Sequence, residues 1–119
     1  MDIREFLEAR LAEDEATARA AEALDTNWPF WIDVDDEADY RAATEFRTRL
    51  GPARVLRDVE AKRRIIAAYD WALAHPHDDE ETGYWVAKGG RSALLDTLHV
   101  LAMAWSDHPD YDTSWSPTS

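Results

Sequence analysis

Apolar residues recur at helical spacing in four stretches of this chain. In the first, Ile3, Leu7, Leu11, Ala18 and Ala21 share one stripe with Phe6 beside them, the three-to-four-residue step of an amphipathic helix. Asp2 stands in cap position with Glu5 three residues on, which predicts a helix over 2–24. Ala42, Ala43, Phe46 and Leu50 give a second, shorter helix over 36–50 an apolar side. Acids at its start and Arg47 and Arg49 at its end suit the helix dipole, and Gly51 stops it. Pro52 opens a third helix over 52–74, with Val55, Val59, Ile66, Tyr69 and Leu73 as its stripe and Asp58–Lys62 and Glu60–Arg64 as favourable pairs. The fourth is predicted from about Ser92 to Trp105, with Leu94, Leu95, Leu98, Leu101, Ala102 and Trp105 inward.

Three segments lack that period. Residues 25–35, DTNWPFWIDVD, are broken by Pro29 and rich in β-type side chains, but no second strand is evident, so they read as an extended aromatic linker. Residues 75–91, with four consecutive acids, Gly83 and the Gly89–Gly90 pair, read as a mobile loop. The tail 106–119 is irregular, yet Tyr111 and Trp115 predict that its first part docks on the helices. The expected fold is mainly α, one domain over 1–119, a bundle of about four helices.

Composition narrows the function more than it identifies it. The chain has 119 residues, enough for one modest core burying roughly two-thirds of the unfolded surface. Its 25 acidic and 13 basic residues leave a charge of −12, which argues against direct nucleic-acid binding and against an anionic membrane surface. With no Cys there is no disulfide, Cys-ligated zinc or thiol catalysis, which fits a cytoplasmic location. No apolar run is long enough to span a bilayer, and the charged start MDIREFLEAR does not read as a secretory signal.

The candidate chemistry is sparse. Asp14 falls on the inward stripe of the first helix and Lys62 on that of the third. A carboxylate facing an apolar interior needs a partner, so Asp14 is expected to pair with Lys62 or Arg63 and fix helix register. The functional alternative makes Asp14 a catalytic or metal-binding carboxylate with Glu60. Arg54, Arg57, Lys62, Arg63 and Arg64 form a basic run better matched to the chain's own acids than to phosphate. His75, His77 and the acids after them lack the spacing of a zinc site. His99 reads as a packing histidine and His108 as a turn residue. The serines lack a nucleophile-elbow context, and no glycine-rich phosphate loop is present. Glu5 and Glu8 have no matching second acidic pair for a pyrophosphatase-like bundle. No catalytic residue, metal or cofactor is assigned.

Six tryptophans are many for this length. Trp71 and Trp105 fit helix-end core positions, Trp28 and Trp115 fit lids, and Trp85 beside Tyr84 is the best partner-binding anchor. The acids Asp35, Asp36, Glu37 and Asp39 are further interaction candidates.

The stretches EFLEARLAEDEATARAA, GPARVLRDVEAKRRII, LHVLAMAW and SDHPDY, in this order, resemble an uncharacterised family of small acidic proteins from actinobacteria and their phages. PARVLRDVEAKRR and DHPDY carry most of the likeness, and the matches cover about half the chain. The resemblance implies a lineage and no activity. Many members have His before the Pro-Ala-Arg motif, where Phe46 and Leu50 stand here, and a Cys-rich insert where TGYWVAKGG stands here. Any metal site built from those residues is absent from this chain.

Three functions follow as expectations. The first is a helical accessory protein that binds a protein partner through its aromatics and acidic faces, with homo-oligomerisation open. The second is a DNA mimic, in which Glu5, Glu8, Glu13, Glu15, Glu22 and the clusters at 33–39 and 78–81 imitate a phosphate backbone and occupy a DNA-binding or defence protein. The third is a metal-dependent hydrolase, which needs clustered carboxylates or histidines in a pocket.

Overall fold

The computed structural model describes residues 1–23, 37–76 and 81–116. It is mainly α, and among the described residues there is no strand. Helix α1 spans Ile3–Ala23, α2 Glu37–Leu50, α3 Pro52–Ala74 and α4 Glu81–Ala102, followed by short 3-10 turns at Met103–Trp105 and Thr113–Trp115. The aromatic linker over 25–35, with Trp28 and Trp31, lies outside the described residues.

The helix boundaries have local causes. The Glu5 amide donates to Asp2 Oδ1 at 2.8 Å, so Asp2 caps α1 as its position predicts. Gly51 alone separates α2 from α3. A Cβ there would collide with the Arg47 carbonyl oxygen, which is why the break falls on glycine. The Gly51 carbonyl then accepts from the Val55 amide at 3.1 Å and starts α3 behind Pro52.

The loop expected over 75–91 is corrected. It is helical from Glu81, eleven residues ahead of the predicted start at Ser92. Gly89 and Gly90, read as breakers, sit inside α4. Each glycine costs roughly 1 kcal/mol against Ala in a helix interior, a deficit that a long helix with a packed face absorbs.

The chain divides into two compact units, 1–10 with 61–119, and 11–60. In the first, Ile3, Phe6 and Leu7 of α1, Ile66 of α3, and Leu98 and Ala102 of α4 are buried, with Tyr111 of the tail. The tail is tied to itself by Tyr111 N–H to the His108 carbonyl at 3.0 Å and Trp115 N–H to the Asp112 carbonyl at 2.9 Å. In the second unit, Leu11, Ala18 and Val59 are buried.

Several predicted core positions are not interior. Phe46 and Leu50 of α2, and Trp71 and Leu73 of α3, are exposed. Helical spacing selects a face, but whether that face is covered depends on what the rest of the chain brings to it.

Candidate functional site

The large apolar side chains left outside the first unit's core gather on the second half of α3 and on α4. Trp71 is 64% exposed, Trp85 58% and Val86 70%, with Leu73 exposed as well. Trp71 also lines a groove of about 420 Å³, with Ala68 and Ala72 of α3, His75 just past its end, and Ala87, Gly90 and Leu94 of α4. On each helix the lining residues step by three or four, so each helix offers one face to it.

Local contacts on each helix hold the two indoles. Trp71 stacks on His75, one turn later, with centroids 4.1 Å apart and planes 16° from parallel. The His75 ring is itself anchored, its Nδ1 lying 2.8 Å from the Trp71 carbonyl, which also accepts the His75 amide at 3.1 Å. That carbonyl lies in the last turn of α3 and already has its i+4 amide, so the imidazole is a second contact on it that holds the ring over the indole. On α4, Lys88 Nζ lies 5.2 Å from the centroid of the Trp85 ring. Arg91 Nη1 donates to the Pro76 carbonyl, linking α4 to the segment just past α3.

Trp85 is thus where an interaction anchor was expected, exposed, but on a helix and not in a loop. The side chains of Tyr84, Glu37 and Asp39 lie outside the described residues, as do Asp35 and Asp36. The helical spacing of Trp71 predicts core, yet its indole is exposed.

Of the expected ion-pair residues, Asp14 is half-buried on the wall of an apolar groove of about 390 Å³ in the second unit, shared with Phe46, Arg47, Leu50 and Val55. Lys62, in the first unit, lies 5.4 Å from the Trp105 ring centroid, so its contact is with an aromatic face. Arg63 is half-buried.

Acids elsewhere pair with arginines. Arg4 Nε donates to both Asp70 oxygens, at 2.7 and 2.8 Å, and that hydrogen bond raises the guanidinium's hold on its proton. Arg19–Glu15, Arg49–Glu45 and Arg54–Asp58 are i,i+4 pairs at 3.4, 2.9 and 3.1 Å. Asp58 therefore meets Arg54, four residues before it, whereas Lys62 was the expected partner. Of the acids a DNA mimic would present, Glu15 is paired with Arg19, and 33–36 and 78–80 lie outside the described residues. Among the described residues, no three His, Asp or Glu side chains converge as a metal site would require.

One polar cluster escaped the sequence reading. Arg10 is 6% exposed on the inner face of α1. Its Nη1 lies against the His108 ring, 2.8 Å from Nδ1 and in contact with Nε2, and 3.9 Å from an Asp110 oxygen. The Asp110 amide donates to His108 Nδ1 at 3.0 Å. Phe6 is enclosed alongside, by His108, Tyr111 and Trp115 with centroids at 5.7, 6.0 and 5.2 Å and by the Arg10 guanidinium at 5.2 Å. The signal was present: Arg10 follows Phe6 by four and Leu7 by three, on the apolar stripe itself. This cluster is enclosed and ties the tail to α1, so it acts on stability, whereas the α3–α4 surface is open to a partner.

A family model described as a family of unknown function (DUF6221) matches residues 1–117. No curated protein and no solved structure matches the chain.

Proposed function

The chain belongs to that family of unknown function, and from its own surface we propose that it is a small accessory protein that binds a basic protein partner through the aromatic face of α3 and α4. The observation that carries this reading is the exposure of Trp71, Leu73, Trp85 and Val86 on α3 and α4, with Trp71 in the wall of an apolar groove. Water-exposed indoles beside a groove are the side chains that most often anchor protein contacts. The charge of −12 supplies the second element. It draws a basic partner in and repels an acidic one, while the apolar groove supplies contact area.

No catalytic role is assigned to any residue. We place the protein in the cytoplasm of an actinobacterium or of a cell infected by one of its phages. The lack of Cys and the motifs PARVLRDVEAKRR and DHPDY support that placement.

Affinity capture from an actinobacterial lysate tests the reading, with the wild type set against a Trp71→Ala/Trp85→Ala double variant of equal helicity. The expected result is a basic protein retained by the wild type, released as salt is raised and lost from the variant. Retention of the same proteins by both, or of none, removes the reading.

A further inference from the structure

We propose that the first half of α4, residues 81–91, is a conditional helix that opens as one unit, taking Trp85 with it, while the rest of the first unit stays folded; this rests on the protein-binding reading above, in which Trp85 makes contact, and adds how that contact is controlled. The two halves of α4 are unequal in sequence. Residues 81–91 read ETGYWVAKGGR, with glycine at three of the eleven positions and the β-branched or aromatic Thr82, Tyr84, Trp85 and Val86 at four more. Each glycine lowers the equilibrium for winding a residue into helix about fivefold against Ala, so three lower it about a hundredfold. The β-branched and aromatic residues lower it further. Residues 92–102, SALLDTLHVLA, hold no glycine, and six of the eleven are Ala or Leu. An isolated helix of eleven residues is marginal even with good helix formers. Residues 81–91 are therefore helical as an extension of the half behind them.

The packing is unequal in the same sense. Leu98 and Ala102 are buried, and Leu94, Leu95, His99 and Leu101 are half-buried. Among the described side chains from 85 to 91 none is buried; Ala87 and Arg91 are half-buried and the others are exposed. The packed face that holds α4 thus lies past Arg91. The first half meets the groove beside α3 with Ala87 and Gly90, the smallest of side chains. Lys88 lies over the Trp85 ring, a contact inside the segment that is lost when the segment unwinds. A Cβ added at Gly89 or Gly90 would meet nothing within 4 Å, so close packing requires neither glycine. Arg91 Nη1, donating to the Pro76 carbonyl, ties α4 down where the weak half ends.

The two indoles of the candidate surface then differ in kind. Trp71 belongs to α3 and is stacked on His75, so its place does not depend on α4. Trp85 takes its place beside α3 only while 81–91 is wound. One side of the surface is standing and the other assembles.

Native-state amide hydrogen exchange on the free full chain tests this without a partner. The amides of 86–91 are expected to share one level of protection, at least about a hundredfold below that of 98–102. Gly89→Ala, at an exposed position outside the groove lining, is expected to raise protection across 86–91 about fivefold. Ile66→Val, in the buried core, is expected to lower protection at 98–102 about fivefold and to leave 86–91 unchanged, because the core stays folded when the segment opens. Protection at 86–91 equal to that at 98–102, or no protection there at all, would overturn the conditional helix. So would protection that climbs residue by residue from 86 to 102, which is ordinary end fraying, no rise with Gly89→Ala, or an equal fall at both places with Ile66→Val. If exchange fails these expectations while the Trp71→Ala/Trp85→Ala variant still loses its captured partner, the conditional helix falls and the proposed function stands. If exchange meets them and capture fails, the proposed function falls and the opening stands.

Discussion

Two groups of aromatic rings in the first unit have opposite fates. Phe6 is 0% exposed because rings from a distant part of the chain, His108, Tyr111 and Trp115, close around it. Trp71 and Trp85 keep more than half their surface in water, and each is met by a near neighbour in sequence, His75 stacked on Trp71 and Lys88 over Trp85. The first arrangement removes apolar surface from water and stabilises the fold. The second spends little stability and holds two large apolar groups ready for contact. Both groups are aromatic; what differs is how far other side chains close over them.

Substitutions should separate the two groups sharply. Phe6→Ala is expected to cost about 3–5 kcal/mol, read from chemical denaturation, since it empties the centre of the tail cluster. A cost near that of a surface site would mean the tail does not close over α1. Arg10→Ala should cost about 1–3 kcal/mol, because it strands the buried face of His108, and the loss should appear as increased amide exchange in residues 108–115. Tyr111→Phe removes the hydroxyl that lies 3.0 Å from Ser116 Oγ and should cost about 1 kcal/mol.

Acid should loosen the tail at its Asp112 cap. Asp112 accepts the Ser114 amide at 2.8 Å, and that bond, with the further hydrogen bonding from Ser114, lowers its pKa. A lowered carboxylate pKa gives stability that is present above the ordinary value and lost as pH falls through the lowered one. The Ser114 amide resonance, followed into acid, should shift through that range, and a resonance unmoved by pH would show the cap is not made. The smallest effect is expected on the open side: Trp71→Ala and Trp85→Ala should each change stability by no more than about 0.5 kcal/mol. A larger loss would move those indoles into the structural group and end their candidacy as contact residues.

The sequence disclosed the helices better than their surroundings. The α1 stripe and its Asp2 cap, and the Gly51–Pro52 junction between α2 and α3, are local signals, and the structure follows them. The α4 start was hidden because Gly89 and Gly90 break helices in isolation, while the helix around them is held by its packed face. Trp71 and Leu73 carried the right spacing for core and are exposed, since spacing does not say what lies opposite. Arg10 was unread for the converse reason. A guanidinium on an apolar stripe looks out of place until His108, far along the chain, supplies an acceptor.

That separation has a consequence for synthesis. Phe6 and its cover at 108–115 are about a hundred residues apart. At about 5–20 residues per second, the greasy side of the first helix waits several seconds on the ribosome before its lid is made. During that interval the nascent chain is open to misassociation, so its yield in cells should depend on chaperone supply more than its finished stability would imply.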